Sequence, residues 1–358
     1  MAKLTAPNIS VTFTELGISA IQRGDKGVVA IIVRDAVQMA PFAISMATLV
    51  PDTLGRKNQD YIKRAFTGYI NPPKKVIVYV APEEDDEDLS GALAYMGTQE
   101  LDYLVGPPDC TAAEAEAIAS WVKSLRAMAC VKHKVVLPHY TADNYAVVNF
   151  DAEDMEAGEI VYTTAGYCSR MAGLLAGTPM KISATYAPLP ELTNVKRLTR
   201  EEQDEAVGAG KLILVWDGRK VKVSRAVNSF VTTIDGMGDS FKKIKIVEIM
   251  DLIRTDITAT AEDSYIGKYA NTYDNKLLLI TAIRGYFQGL ERDSLVQPGF
   301  TVDIDVEAQA KFLTSKGVDT SAMSEREIRE ADTGTWVFIL IRCKILDAIE
   351  DIDINIEI

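Results

Sequence analysis

Histidine and cysteine side chains suited to catalysis or metal binding cluster between positions 110 and 140. His133 and His139 flank the apolar stretch "KVVLP", and either could be the general base of a Ser-His-Asp triad. The nucleophilic serine of an α/β hydrolase sits in a G-x-S-x-G elbow, and the sequence has no such motif. We therefore expect surface or loop-packing roles for both histidines, and we predict no catalytic residue.

A zinc site could be assembled on paper from Cys110, Cys130, His133 and His139. Structural zinc sites normally carry closely spaced ligand pairs at both ends, and here only Cys130 and His133 are close in sequence. The acidic run Glu83–Asp88 could attract calcium, but it lacks the glycine and the distal glutamate of an EF-hand loop. The sequence therefore predicts no metal ion and no cofactor.

Two glycine-containing stretches were candidates for phosphate loops. "GAGKL" (208–212) lacks the G-x4-G-K-[ST] spacing and precedes a predicted strand, whereas a P-loop precedes a helix. "GMGDSF", which begins at Gly236, lacks the third glycine and the preceding strand of a dinucleotide site. We interpret the first as a helix C-cap and the second as a loop, so no nucleotide site is predicted.

The composition is that of an ordinary globular protein with an acidic balance. The 358 residues are 47% hydrophobic and carry a net charge of -13. A duplex nucleic-acid binder needs a basic face, and so does a protein that binds anionic membranes, so we expect neither partner. The opening residues have no apolar segment of the secretory type, which predicts synthesis in a cytosol. In that setting the four cysteines are predicted to be reduced core thiols, namely Cys110, Cys130, Cys168 and Cys343.

Strand and helix patterns alternate between residues 27 and 186. "VVAIIV" (Val28–Val33) and "KVIVYV" (Lys75–Val80) are continuous apolar runs, typical of strands buried on both faces. Thr111–Met128 is predicted to be a helix, because Thr111 can act as N-cap and Glu114 completes a capping box. The alternation predicts an α/β domain with a mostly parallel sheet covered by helices. Further elements are predicted from Leu101 and at Asn58–Phe66, Leu89–Met96, Lys134–Pro138, Val147–Phe150 and Thr164–Ala176.

Residues 187–346 predict a second, α+β domain. Asp217-Gly218 between two alternating runs is typical of a hairpin turn. "TVDIDVE" predicts a short strand, and the stretch from Trp336 onward is β-like. Helices are predicted at Thr199–Val207, Ser240–Ala261, Asp274–Arg292, Glu307–Ser315 and Glu325–Ala331. The remaining residues are predicted to form an N-terminal arm with its connector (1–26) and a C-terminal arm (347–358).

Both ends of the sequence carry isolated amphipathic strand patterns. A lone strand with an exposed apolar face invites aggregation unless it is covered, and strand addition to another chain is one way to cover it. Burying four isoleucines contributes about 6–12 kcal/mol, whereas ordering seven residues costs about 7–14 kcal/mol, so such a link gains strength by repetition. The apolar positions are Ile9, Val11 and Phe13 in the first pattern, and Ile352, Ile354, Ile356 and Ile358 in the second.

The ordered set of motifs resembles the contractile tail sheath proteins of phages and phage-like particles, of the type found in Gram-positive hosts. The start "PNISVTFTELGISAIQRGDKGVVAIIVRD" resembles the arm and first strand of that family. "GKLILVWDGRKVKVSRAVNSF" resembles its strand pair, and "FKKIKIVEIMDLIRTDI" and "SYIGKYANTYDNKLLLITAIRGYFQGLE" resemble its following helices. "DIDINIEI" resembles its C-terminal arm.

The resemblance implies a structural subunit without enzymatic activity. Such subunits polymerise as six-membered rings or a six-start helix around an inner tube, and they contract to drive the tube through a cell envelope. The resemblance also implies a subtilisin-like but non-catalytic α/β domain, and arms that pair with strands of neighbouring subunits. Implied partners are further copies, the inner tail tube protein, and baseplate and tail terminator proteins. The implied location is a virion or tailocin tail assembled in the bacterial cytoplasm.

Charge suggests where the acidic C-terminal arm could be received. The predicted hairpin carries four bases and two apolar residues, namely Arg219, Lys220, Val221, Lys222, Val223 and Arg225. Two other functions stay open at this point. One is an α/β hydrolase with a pocket near His133 or His139, and the other is a scaffold or adaptor that captures partners with its strands without forming a tube.

Overall fold

The computed structural model describes residue 21 and residues 26–83 and 88–357. The predicted arm residues Ile9, Val11, Phe13 and Ile358 lie outside the described residues, as does most of the acidic run after Glu83. Within the described ranges no helix is long and apolar enough to cross a lipid bilayer.

Strands and helices alternate through the first half of the chain, as predicted. The strands are β1 (Val28–Asp35), β2 (Phe42–Ile44), β3 (Lys75–Pro82), β4 (Tyr103–Val105), β5 (Lys134–Pro138), β6 (Val147–Phe150), β7 (Met155–Ala157), β8 (Ile160–Tyr162), β9 (Lys211–Leu212), β10 (Leu214–Trp216), β11 (Val221–Val223), β12 (Thr301–Ile304) and β13 (Ile339–Arg342). The helices are α1 (Arg56–Ala65), α2 (Ser90–Met96), α3 (Ala112–Met128), α4 (Thr164–Ala176), α5 (Arg200–Gly208), α6 (Ile244–Ser264), α7 (Tyr273–Arg292), α8 (Val306–Ser315) and α9 (Glu325–Glu330).

A mostly parallel sheet forms the centre of the larger part of the molecule. Its strand order is β2-β3-β1-β4-β5-β6-β9, and β2 is the antiparallel member. Successive side chains of β1 point to opposite faces, and both faces are buried. Val29 and Ile31 belong to an apolar cluster with α1 and α4, and Ala30 and Ile32 to a second cluster with α2 and α3. This two-sided burial is why β1 and β3 are continuous apolar runs in the sequence.

Helix capping explains why several helix boundaries could be predicted. Thr111 accepts a hydrogen bond from the Glu114 backbone N–H, and the Glu114 carboxylate accepts one from the Thr111 backbone N–H, so the predicted capping box of α3 is confirmed. Thr199 and Glu202 form the same arrangement at the start of α5. Each box satisfies N–H groups that the first helical turn cannot pair by itself.

Short strands account for most differences from the predicted elements. Strands β2, β7 and β8 have three residues each, which is too short for an alternating pattern to stand out. The long β-like stretch after Trp336 forms a strand only at Ile339–Arg342 within the described residues. The four cysteines are free, but Cys130 and Cys343 are exposed, so the prediction of a core position is wrong for these two.

Two compact units describe the packing of the chain. The larger unit comprises residues 23–258, 290–298 and 343–358, and the smaller one includes residues 259–289 and 299–342. Residues 187–258 belong to the larger unit because β9 pairs with β6, and because Leu212, Val221 and Val223 share one apolar cluster with the sheet. The two compact units therefore have different boundaries from the predicted domains. The predicted domain boundaries remain predictions.

Candidate assembly surfaces

His139 and Asp151 form a close pair at the carboxyl ends of β5 and β6. The His139 Nδ1 and Asp151 Oδ1 atoms are 2.5 Å apart, and the Lys211 Nζ lies 2.7 Å from the other oxygen of Asp151. The hydrogen bond to Asp151 raises the pKa of His139, and the same bond contributes most to lowering the pKa of Asp151 to about 2. The Asp151 carboxylate is therefore shared between His139 and Lys211.

The cavity beside His139 offers no activated nucleophile. It measures about 520 Å³, and its lining includes Cys110, Thr111, Thr163 and Thr164. Thr111 and Thr163 cap the helices α3 and α4, and the Thr164 hydroxyl donates to the Ala152 carbonyl at 2.6 Å. Burial raises the pKa of Cys110 to about 12, so its thiol stays protonated at neutral pH. These hydroxyl groups are engaged in holding the local fold.

His133 and the cysteines do not assemble into a metal site. His133 is buried, and its desolvation lowers its pKa to about 4. Cys130 contacts the Thr258 hydroxyl at 3.2 Å instead of a histidine. Across the described ranges no three histidine, cysteine, aspartate or glutamate side chains come close enough to hold a metal ion.

The segment before the predicted C-terminal arm is docked onto the larger unit. Ile345 forms an antiparallel bridge with Val296. The Leu346 N–H donates to the Leu295 carbonyl at 2.9 Å. The backbone is therefore fixed by ladder-type hydrogen bonds up to Leu346.

Glu350 holds the next residues in place from a buried position. Its side chain is 5% exposed, and it accepts hydrogen bonds from the hydroxyls of Ser183 at 3.0 Å and Thr185 at 2.6 Å. The Lys243 Nζ lies 3.3 Å from its other oxygen and also donates to Asp347. Burial alone would lower the pKa of Lys243, but the hydrogen bonds and charges of Asp347 and Glu350 outweigh it and raise that pKa. The lysine is therefore charged and bound to both acids.

Arg225 joins this cluster from the predicted receiving hairpin. Its guanidinium donates to Asp351, and its Nε lies 4.0 Å from Glu350. The Asp351 side chain is 78% exposed, in contrast to Glu350. Arg225 therefore binds the acidic segment within a single subunit, whereas the predicted pairing with the hairpin of another copy stays a prediction.

The isoleucines that follow this cluster are exposed. Ile352, Ile354 and Ile356 are 75%, 73% and 76% exposed, and the backbone from Ile352 to Glu357 belongs to no strand. Large apolar side chains in a regular row on the surface mark a contact region. The described residues of the larger unit leave these side chains mostly exposed.

The predicted receiving hairpin exists, but its backbone is already paired on β11. The Val221 and Val223 side chains are fully buried. Beyond β10, the Val223 carbonyl accepts from the Tyr186 N–H at 3.0 Å, and the Val221 carbonyl accepts from the Leu189 N–H at 2.9 Å. A further strand could add to this edge of β11 only after residues 186–189 had left it.

The basic side chains of the hairpin also have partners within the subunit. Lys222 lies 3.3 Å from Asp217, and its Nζ stands 3.8 Å above the Tyr186 ring. The backbone N–H groups of Arg219 and Lys220 both donate to the Asp217 carboxylate, which fixes the turn. Among the six residues of the predicted site, Arg225 is the one whose described contacts reach the acidic segment.

Among the described residues, strand β13 in the smaller unit pairs with β12 alone and leaves its other edge unpaired. It runs antiparallel to β12, and the Asp305 N–H donates to the Phe338 carbonyl at 3.0 Å. Because antiparallel neighbours alternate between bonded and non-bonded pairs, the N–H and C=O groups of Ile339 and Ile341 point away from β12. These groups have no hydrogen-bond partner among the described residues. Such an edge is a template for another strand.

Apolar and basic side chains flank this open edge. The Phe338 ring lies 5.3 Å from Phe312, and Trp336 stacks on Phe338 with ring centres 6.3 Å apart. Trp336 is 59% exposed, and Arg342 at the other end of β13 is exposed as well. The β-like composition from Trp336 onward signalled a strand here, but the sequence could not reveal which edge would be free.

The chain matches known sheath proteins over nearly its whole length. Residues 83–229 match the family described as phage tail sheath protein central domain, and residues 237–358 match phage tail sheath C-terminal domain. A tail sheath protein of Clostridium phage phiCD119 is 37% identical over 355 residues, with 98% of each chain covered.

Solved structures share the fold. A contracted helical sheath of the anti-feeding prophage superposes with a TM-score of 0.71, at 13% identity and over 99% of both chains. A sheath tail protein of Desulfitobacterium hafniense gives a TM-score of 0.69 at 17% identity, over 83% of this chain and 94% of that one. At these identities the likeness shows a common fold. The tail sheath protein that is 37% identical over nearly the whole chain shows the family as well, and the chain therefore belongs to the phage tail sheath protein family.

Proposed function

We propose that this chain is the structural subunit of a contractile tail sheath, which polymerises around an inner tube and contracts to drive it through a cell envelope. The observation that carries the proposal is the coexistence of an anchored segment with exposed isoleucines and an open strand edge in one molecule. A surface that can give a strand and another that can receive one make a head-to-tail contact, and such a contact builds helices or rings.

Residues 352–358 of one copy are proposed to add to β13 of another copy. The described isoleucines, Ile352, Ile354 and Ile356, would cover apolar surface that includes Trp336, and the N–H and C=O groups of Ile339 and Ile341 would complete the ladder. Asp353 and Glu357 are negative, whereas Arg342 at the edge is positive, so charges favour the pairing. The N-terminal pattern Ile9, Val11 and Phe13 is proposed to act as a second arm.

The hairpin predicted from charge and strand β13 lead to different expected results for one double variant. If residues 219–225 receive the arm, Lys220→Glu/Lys222→Glu should assemble poorly at low salt, because the acids of the arm would meet like charges. If β13 receives it, the same double variant should assemble nearly as the parent does, once its folding has been checked by thermal unfolding. Tube length and number in electron micrographs at low and high salt measure the difference.

The further partners follow from the family and are part of the proposal. They are the inner tail tube, the baseplate and the tail terminator, in a virion or tailocin tail formed in the bacterial cytoplasm. The parallel sheet with helices on both faces supports a subtilisin-like but non-catalytic α/β unit. The hydrolase alternative finds no support in the His139 cavity, where the thiol is protonated and the threonine hydroxyls hold the fold.

Negative-stain electron microscopy of the purified chain over a range of concentrations tests the function. The sheath proposal predicts hollow cylinders or stacked rings whose number rises with concentration. Small particles of one size under all conditions would contradict it and favour the adaptor alternative. Addition of the inner tube protein from the same source extends the test, because a sheath subunit should then coat that tube.

A further inference from the structure

We propose that Lys243, which immediately precedes α6, and Glu248 in the first two turns of α6 form a shared anchor for both terminal arms, and that Glu350 is the positioning residue for the C-terminal one. This inference rests on the proposed function, because a positioned arm matters only if the arm joins another subunit. The anchor comprises Lys243, Glu248 and their bound partners. It fixes Lys26 and Glu350, the residues next to the two predicted arms.

On the C-terminal side, the anchor fixes the backbone up to Asp351. Lys243 immediately precedes α6 and binds Glu350 and Asp347. Ser183 and Thr185 donate to the same carboxylate, so Glu350 is held from two directions. Ile349 is 87% exposed, the Glu350 side chain 5% and Ile352 75%, so Glu350 is the last described residue of the segment with a buried side chain. The proposed arm therefore begins after the Arg225-bound Asp351, at Ile352, five residues after the predicted boundary at 347.

On the N-terminal side, Lys26 binds the same helix. Its Nζ lies 2.6 Å from the Glu248 carboxylate and donates to the Thr178 carbonyl at 3.0 Å. Both side chains are largely buried, at 9% and 5% exposure. The Tyr103 hydroxyl donates to the other oxygen of Glu248. Lys26 is the last residue of the predicted N-terminal arm and connector, so this ion pair sits at the root of that segment.

The helix that holds both roots is itself fixed to the parallel sheet. Arg126 donates to both oxygens of Asp251 at 3.0 and 2.6 Å, and the Lys134 Nζ of β5 lies 3.0 Å from it. Lys243 and Glu248 are five residues apart, which is about 7.5 Å of rise along the helix. Because the two roots share one rigid helix, they keep a constant separation whenever the larger unit moves as a body. When the larger unit moves, the two arms of that subunit would then be displaced together.

The test compares Glu350→Ala with Asp353→Ala, the same change at an exposed carboxylate beyond the anchored segment. Hydrogen exchange is measured on the single subunit, below the concentration at which it assembles. We expect the Leu346 amide to exchange about tenfold faster in Glu350→Ala, because the lost bonds release the docked segment. Asp353→Ala should leave the rate within about twofold of the parent. Unchanged protection in Glu350→Ala, or equal effects of both variants, would overturn the anchor.

Two further variants test the charge of Glu350 and the ion pair of Lys26 separately. Glu350→Gln retains an acceptor for Ser183 and Thr185 but loses the charge that binds Lys243, so its exchange rate should fall between those of Glu350→Ala and the parent. Lys26→Met keeps the apolar stem, and it should raise exchange at Gly27 while Leu346 stays protected. Exchange within β1 reports whether each variant remains folded. Because these readouts need no assembly, a failure of the anchor is distinguishable from a failure of the sheath proposal.

Discussion

Removal of Ile352–Ile358 is expected to abolish tube formation while leaving the subunit folded. The isoleucines described in this segment are about three-quarters exposed, so the free energy of unfolding should change by less than about 0.5 kcal/mol. In a lattice, each arm would lose about 1.5–3 kcal/mol per buried isoleucine, repeated at every subunit. Electron microscopy of truncated and full-length protein at equal concentration gives the answer, and circular dichroism gives the thermal midpoint.

A second variant separates the isoleucine side chains from the backbone of the arm. The triple change Ile352→Ser/Ile354→Ser/Ile356→Ser keeps the length and the acids, and it should also prevent tubes. Asp353→Asn/Glu357→Gln keeps the isoleucines and should still assemble, with less dependence on salt. If the truncated chain forms tubes of normal length, assembly does not need residues 352–358 and the proposed arm is wrong.

Replacement of Ile341 by proline is expected to block assembly without unfolding the smaller unit. The Ile341 N–H points away from β12, so its loss leaves the β12–β13 ladder intact, and proline is tolerated on such an edge. For an incoming strand, the same change removes one donor and places a ring against the new backbone. Tube counts by electron microscopy should fall to background, with a thermal midpoint within a few degrees of the parent.

Two neighbouring substitutions control this experiment. Ile341→Thr keeps the amide and the β-branched shape, and we expect it to assemble. Leu340→Pro removes an N–H that faces β12, and it should destabilise the β12–β13 pair itself. If Ile341→Pro and Ile341→Thr give equal numbers of tubes, the open edge is not a site of strand addition. If Ile341→Pro unfolds the unit, the assigned direction of its N–H is wrong.

The sequence predicted most reliably the elements that are marked by a run of apolar residues or by a helix cap. The runs at Val28–Val33 and Lys75–Val80 predicted two-sided strands, and Thr111 with Glu114 predicted a helix start, because periodicity and capping are local properties. The mostly parallel sheet followed from their alternation. Strands of three residues such as β8 carry too little pattern to be found, and they depend on contacts distant in sequence.

The candidate interface was harder to predict, because pairing depends on which backbone groups remain free. The acidic arm was predicted to meet the basic hairpin of another copy, and within one subunit Arg225 of that hairpin binds Asp351. The sequence could not show that β11 is already paired with residues 186–189, nor that Ile339 and Ile341 face outward. It also could not show that Glu350 is buried while Asp351 is exposed, since both are ordinary acids in one run.

Disulfide trapping between two copies that carry different cysteine substitutions tests most directly whether the arm of one subunit lies on β13 of another. One copy carries Ile354→Cys and the other Ile339→Cys, both with Cys130 and Cys343 replaced by serine, because these native thiols are exposed. The two chains are mixed during assembly, oxidised, and separated without reductant. Strand exchange predicts a mixed disulfide dimer that forms in tubes and is absent below the assembly concentration. Tubes that assemble from both chains without any mixed dimer, while an Ile356→Cys copy also fails to cross-link, would contradict the account.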